Sequence, residues 1–70
     1  MENKLKIQKR INQNKFNEAL IIINNLEKTK GIDLEDYLEY RLLKSQVLYK
    51  TGKTDRSLEL IDKILTLVRN

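Results

Sequence analysis

Cysteine, histidine, proline and tryptophan are all absent from this chain, and glycine occurs only at Gly31 and Gly52. Without cysteine no disulfide can form, and without cysteine or histidine the usual thiolate and imidazole donors of a zinc site are missing. The same absences remove the commonest general acid–base group and the commonest activated nucleophiles. The expectation is therefore a chain with no catalytic residues, no metal and no cofactor. The two isolated glycines form no phosphate-cradling loop. Long apolar runs are missing as well: the longest is Ala19 to Ile23, far short of the roughly 20 residues a membrane-spanning helix needs. The opening Met-Glu-Asn-Lys has no long apolar stretch behind it to act as a signal, which makes the expected location cytoplasmic, away from membranes.

The side chains that are present, 40% hydrophobic and 34% charged over 70 residues, describe one small folded domain spanning residues 1–70 rather than a linker or disordered tail. A chain this short buries only about 60% of its unfolded surface. Domains of this size usually need a disulfide, a metal or a partner subunit, and here only the partner remains. The net charge of +4 is unevenly placed, with the basic excess at Lys4, Lys6, Lys9, Arg10 and Lys15. Such a cluster attracts phosphates or an anionic surface, but no aromatics are interleaved for base stacking. A nucleic-acid or anionic-surface binder is accordingly the alternative function rather than the leading one.

Apolar spacing predicts an all-α chain of four helices. The first covers Lys4 to Asn12 with Leu5, Ile7 and Ile11. In the second, Lys15 to Thr29, the residues Phe16, Ala19, Leu20, Ile23 and Leu26 recur every three or four positions and fall on one stripe, which outweighs the strand-like run Ile21 to Ile23. Gly31 then ends this unit, and Asp33 is the candidate N-cap of a third helix from Leu34 to Lys50, with Asp36 in the place of a capping-box acid. That helix is apolar on two sides: Leu34, Tyr37, Leu38, Leu42, Leu48 and Tyr49 form one face, and Tyr40, Leu43 and Val47 lie nearly opposite. A helix packed on two sides belongs at the centre of the molecule. After Thr51-Gly52-Lys53, the fourth helix starts at Thr54 or Asp55 and carries Leu58, Leu60, Ile61, Ile64, Leu65, Leu67 and Val68 over half its circumference. That arc is wider than one neighbour covers. Some of Leu60, Ile64 and Leu67 should stay exposed in a monomer, as interface residues do. The acids Asp33, Glu35, Asp36 and Glu39 are explained by the helix start, where the macrodipole favours negative charge.

An internal repeat organises these segments. Asn14 to Leu26 aligns without a gap on Gly52 to Ile64, 38 residues later, with Lys15 matching Lys53, Ala19 matching Ser57, Leu20 matching Leu58 and Ile23 matching Ile61. A period near this length in a helical chain marks a helix-turn-helix repeat. The run Asn14-Lys15-Phe16-Asn17-Glu18-Ala19-Leu20 resembles the turn and second-helix start of a tetratricopeptide repeat, and Leu48-Tyr49-Lys50-Thr51-Gly52-Lys53 resembles the end of a first helix and its turn. The likeness covers two helix pairs, residues 3–29 and 33–69, with small residues at Ala19, Ser45 and Ser57 where the paired helices meet. Departures are also present. Arg41 and Lys44 stand where the family places a large aromatic and a leucine, no proline ends the repeat, and the period exceeds the usual 34 residues or so. Leu42 and Leu43 also replace the polar pattern by which some members hold a peptide carboxylate.

The resemblance implies a fragment of an α-solenoid that acts as a protein-interaction or scaffolding module binding a protein or peptide. Its concave groove would be lined by Lys4, Gln8, Ile11, Glu39, Leu42, Gln46, Tyr49 and Lys50, with Leu42 and Tyr49 as apolar anchors. Two repeats are fewer than a solenoid normally needs. The expectation is a homodimer formed through the fourth helix and the second stripe of the third, by way of Tyr40, Leu43, Val47, Leu60, Ile64 and Leu67.

Overall fold

With no proline to interrupt it, the backbone is helical wherever a turn does not reverse it. The computed structural model describes residues 2–69 and contains four helices: α1 (Glu2–Asn12), α2 (Phe16–Glu27), α3 (Leu34–Lys50) and α4 (Thr54–Arg69). No strand occurs among the described residues. Ile21, in the run that reads like a strand, sits on the outer side of α2 and is exposed.

Two turns of one construction pair the helices. After α1, Asn14 adopts a left-handed φ of 60°, and after α3, Gly52 adopts φ 84°. Each is the αL residue of a Schellman motif. In the first turn the Lys15 amide donates to the Arg10 carbonyl at 2.8 Å and the Asn14 amide to Ile11 at 3.0 Å; in the second, Lys53 donates to Leu48 at 2.8 Å and Gly52 to Tyr49 at 3.1 Å. Each motif satisfies carbonyls that the helix end leaves without partners. Between the pairs, residues 28–33 cross over through Gly31, at φ 75°. Asp33 then takes the extended conformation of an N-cap, and its carbonyl accepts the Tyr37 amide at 2.9 Å. The expected capping box does not form: Asp33 makes no side-chain cap hydrogen bond. Asp36 is one methylene shorter than the usual Glu, and the acids favour the helix start through its dipole instead.

α3 is the central element, packed against α1, α2 and α4, whereas α4 touches only α3. Ile7 and Ile11 from α1, Ala19 and Ile23 from α2, and Tyr40 and Val47 from α3 form one buried cluster, with Phe16, Leu20, Ile22, Leu26, Ile32 and Leu43 packed around it. The α3–α4 seam is separate. It is closed by Leu60 and Ile64 and by two buried serines, where the Ser57 hydroxyl donates to the Ser45 carbonyl at 2.9 Å. Small side chains at this crossing let the two backbones come within one hydrogen bond of each other. The molecule measures 35 × 28 × 16 Å. With helices about 10 Å thick, a slab of this depth leaves every helix a face in solvent.

Candidate interaction groove

Where α1 lies beside α3, their outer faces enclose a groove of about 540 Å³, lined by Lys4, Leu5 and Gln8 from α1 and by Glu39, Leu42 and Leu43 from α3. The spacing of α1 places Lys4 and Gln8 one turn apart on the α3 side. Gln8 is held by donating its side-chain amide to Asn12 Oδ1 at 3.1 Å. Lys4 Nζ forms an ion pair with Glu39 Oε2 across the groove. The hydrogen bond to Glu39 holds the Lys4 amine above its usual pKa; the negative charges of Glu39, Asp36 and Glu35 add to this and partial desolvation opposes it. The acids that begin α3 therefore also help fix α1. Leu42 and Leu5 are well exposed, at 50% and 72%, and give the groove an apolar wall.

Four of the residues expected in the groove, Lys4, Gln8, Glu39 and Leu42, do line it together. Ile11 does not, because it points into the core and is fully buried. Gln46, Tyr49 and Lys50 lie further along α3, outside the lining, with Tyr49 and Lys50 exposed. Leu5 and Leu43 were missed by the sequence reading. Leu5 reads as core from its place in a sparse apolar pattern, and Leu43 as part of the opposite stripe of the third helix.

The residues expected to join two copies require a larger correction. Tyr40 and Val47 belong to the buried cluster, and Leu60 and Ile64 are covered by α3 within one chain. Leu43 is half-buried beside the groove, and of the six only Leu67 is exposed. The fold buries the side of the α4 arc that was expected to stay free and leaves open the side carrying Leu58, Leu65 and Val68.

Arg41 and Lys44, which depart from the family pattern, tie α3 to α2. Arg41 lies 3.7 Å from Glu27, donates from Nε and Nη2 to the Tyr37 hydroxyl at 3.0 and 2.6 Å, and sits 5.0 Å from the centre of that ring. Lys44 Nζ donates to Asn24 Oδ1 at 3.2 Å. A second cleft of about 380 Å³ opens between Tyr37 and Arg41 on α3 and Leu60, Ile64 and Leu67 on α4. In the basic cluster, Lys4 turns toward α3 while Lys6, Lys9 and Lys15 are exposed. Among the described residues no three carboxylates gather as a metal site, and no helix is long and apolar enough to cross a membrane.

Compared with known proteins, the chain matches no family model, no curated protein and no solved structure.

Proposed function

We propose that this chain is a protein-interaction module made of two tetratricopeptide-like helix pairs, with the groove between α1 and α3 as its peptide-binding surface. One observation carries the reading: the two turns that close the pairs repeat hydrogen bond for hydrogen bond at an offset of 38 residues, from Lys15–Arg10 to Lys53–Leu48 and from Ala19–Lys15 to Ser57–Lys53. A unit repeated in this way sets first helices side by side, and their outer faces become a binding surface. The groove there has apolar walls in Leu5, Leu42 and Leu43 and a polar edge in Gln8 and the Lys4–Glu39 pair. That composition suits a peptide with an apolar anchor and a few polar contacts. No catalytic role and no cofactor enter the proposal.

The test is selection of short peptides from a random library, followed by amide chemical-shift mapping of a selected peptide on the labelled protein. Shifts are expected at Leu5, Gln8 and Leu42. Leu42→Asp, at an exposed position, should weaken binding about tenfold, equivalent to about 1.4 kcal/mol, without loss of helix. Binding should change little between about 50 and 200 mM salt, whereas a ligand held through phosphates loses orders of magnitude over that interval. Shifts centred on Lys6, Lys9 and Lys15, with steep salt dependence, would overturn the proposal in favour of an anionic ligand.

A further inference from the structure

The internal repeat indicates what the open face of the second pair is built to receive. In the first pair, α3 lies over Ile11, Leu20 and Ile23 and bonds to Asn24 and Glu27 at its edge. The positions 38 residues later are Tyr49, Leu58, Ile61, Asp62 and Leu65. Ile11 and Ile23 are fully buried, whereas their counterparts Tyr49 and Ile61 are 65% exposed and half-buried, and Leu58 and Leu65 beside them are 60% and 50% exposed. The second pair thus carries the same kind of helix-receiving face, apolar at the equivalent positions, and no helix of this chain covers it.

We infer that a second copy of this chain covers that face, in a two-fold dimer whose α4 helices pack antiparallel. A head-to-tail arrangement would require α1 of the incoming copy to act as α3 does. The α1 residues equivalent to Leu43, Lys44 and Val47 are Leu5, Lys6 and Lys9, so such a helix could set Lys6 beside Asp62 as Lys44 sits beside Asn24, but it would place the charged Lys9 where Val47 is fully buried. α4 instead matches itself. Leu58, Ile61, Leu65 and Val68 are spaced by three, four and three residues, the heptad seam of a coiled coil. The spacing reads the same in both directions, so an antiparallel pairing sets Leu58 opposite Val68 and Ile61 opposite Leu65 of the partner subunit. Along the flank of this seam away from α3 run Asp55, Asp62 and Arg69, seven residues apart and all exposed. A two-fold axis beside Asp62 brings each Asp55 to Arg69 of the partner subunit and leaves Asp62 next to its own copy. This interface deepens the helical-repeat reading and rests on it, but it does not use the peptide groove.

Sedimentation equilibrium from low micromolar to millimolar protein tests the inference, with circular dichroism to check folding. The wild-type chain should reach dimer mass. The Leu58→Lys and Leu65→Lys double variant, altered only at exposed positions, should remain helical and dissociate at least tenfold more readily. Asp62→Asn should tighten the dimer a few-fold. Orientation is read from engineered thiols, since the chain has no cysteine of its own. Oxidation should link Asp62→Cys to itself and Asp55→Cys to Arg69→Cys in a mixture, but should not link Asp55→Cys to itself. Monomer mass throughout, a dimer indifferent to the double variant, or self-linking of Asp55→Cys each overturns the inference. A monomer that still binds peptide in the α1–α3 groove would end the dimer and leave the interaction module standing; a dimer with an inert groove would do the reverse.

Discussion

Single side chains set a buried contact between α3 and α4 and a charge contact between α1 and α3. Ser57 is buried at the α3–α4 crossing, where its hydroxyl reaches the Ser45 carbonyl. Ser57→Ala removes one hydrogen bond and should cost about 1 kcal/mol. Ser57→Leu must force the helices apart and should cost about 1–3 kcal/mol by overpacking, a ranking that urea unfolding would read directly. Lys4 acts by charge. Its amine is held above its usual pKa by Glu39, so the folded state binds this proton more tightly than the unfolded chain. The stability gained is complete below the ordinary lysine pKa of 10.5 and is lost as pH rises through the higher folded value. Thermal melts of the wild type should therefore lose an increment on alkaline titration that Lys4→Met lacks, while the two proteins run parallel near neutral pH. The lysine is solvent-accessible, so the increment is small and shrinks with added salt.

At the level of helices and turns, the equivalence of Asn14 and Gly52 makes a paired prediction. Both occupy the left-handed region, and a Cβ on Gly52 would meet nothing within 4 Å. Gly52→Ala therefore adds backbone strain without a clash and should lower stability by about 1–2 kcal/mol. Asn14→Gly relieves strain at the matching position and should leave stability unchanged or slightly higher; the urea midpoint should fall for Gly52→Ala and hold level or rise for Asn14→Gly. These turns are also why the helices were legible in the sequence. Asn14, Gly31 and Gly52 mark the reversals, and the bounds of α3 follow from the cap at Asp33 and from Gly52. The groove was half legible, because helical spacing shows which residues share a face but not how deep that face sits. Ile11 and Gln8 lie on the same side of α1, yet Ile11 enters the cluster shared with α2 and α3 and is buried, while Gln8 stands at the groove and is half-buried. For α4, an apolar arc covering half the helix does not reveal where on it a neighbour rests. Ser57 marks the place: α3 approaches the α4 backbone over that small side chain, with Leu60 and Ile64 turned inward and Leu58 and Leu65 outward.

For the molecule as a whole, the distribution of contacts predicts where unfolding begins. α1, α2 and α3 share a single buried cluster, whereas α4 is attached to α3 alone, through Ser57, Leu60 and Ile64. With α3 as its one neighbour, α4 can detach while the three-helix cluster persists. Native-state hydrogen exchange in dilute solution should therefore show α4 amides opening at a lower free energy than those around Ile23, Tyr40 and Val47. Ile64→Ala should lower protection in α4 and leave the cluster nearly unchanged. Ile23→Ala removes a fully buried side chain from the cluster and should cost about 2–5 kcal/mol, lowering protection throughout. Raising the protein concentration should then strengthen α4 more than the other helices, because α4 is the helix that a second copy would cover. Equal protection in all four helices at every concentration would mean that the chain unfolds as one unit and that α4 needs no outside support.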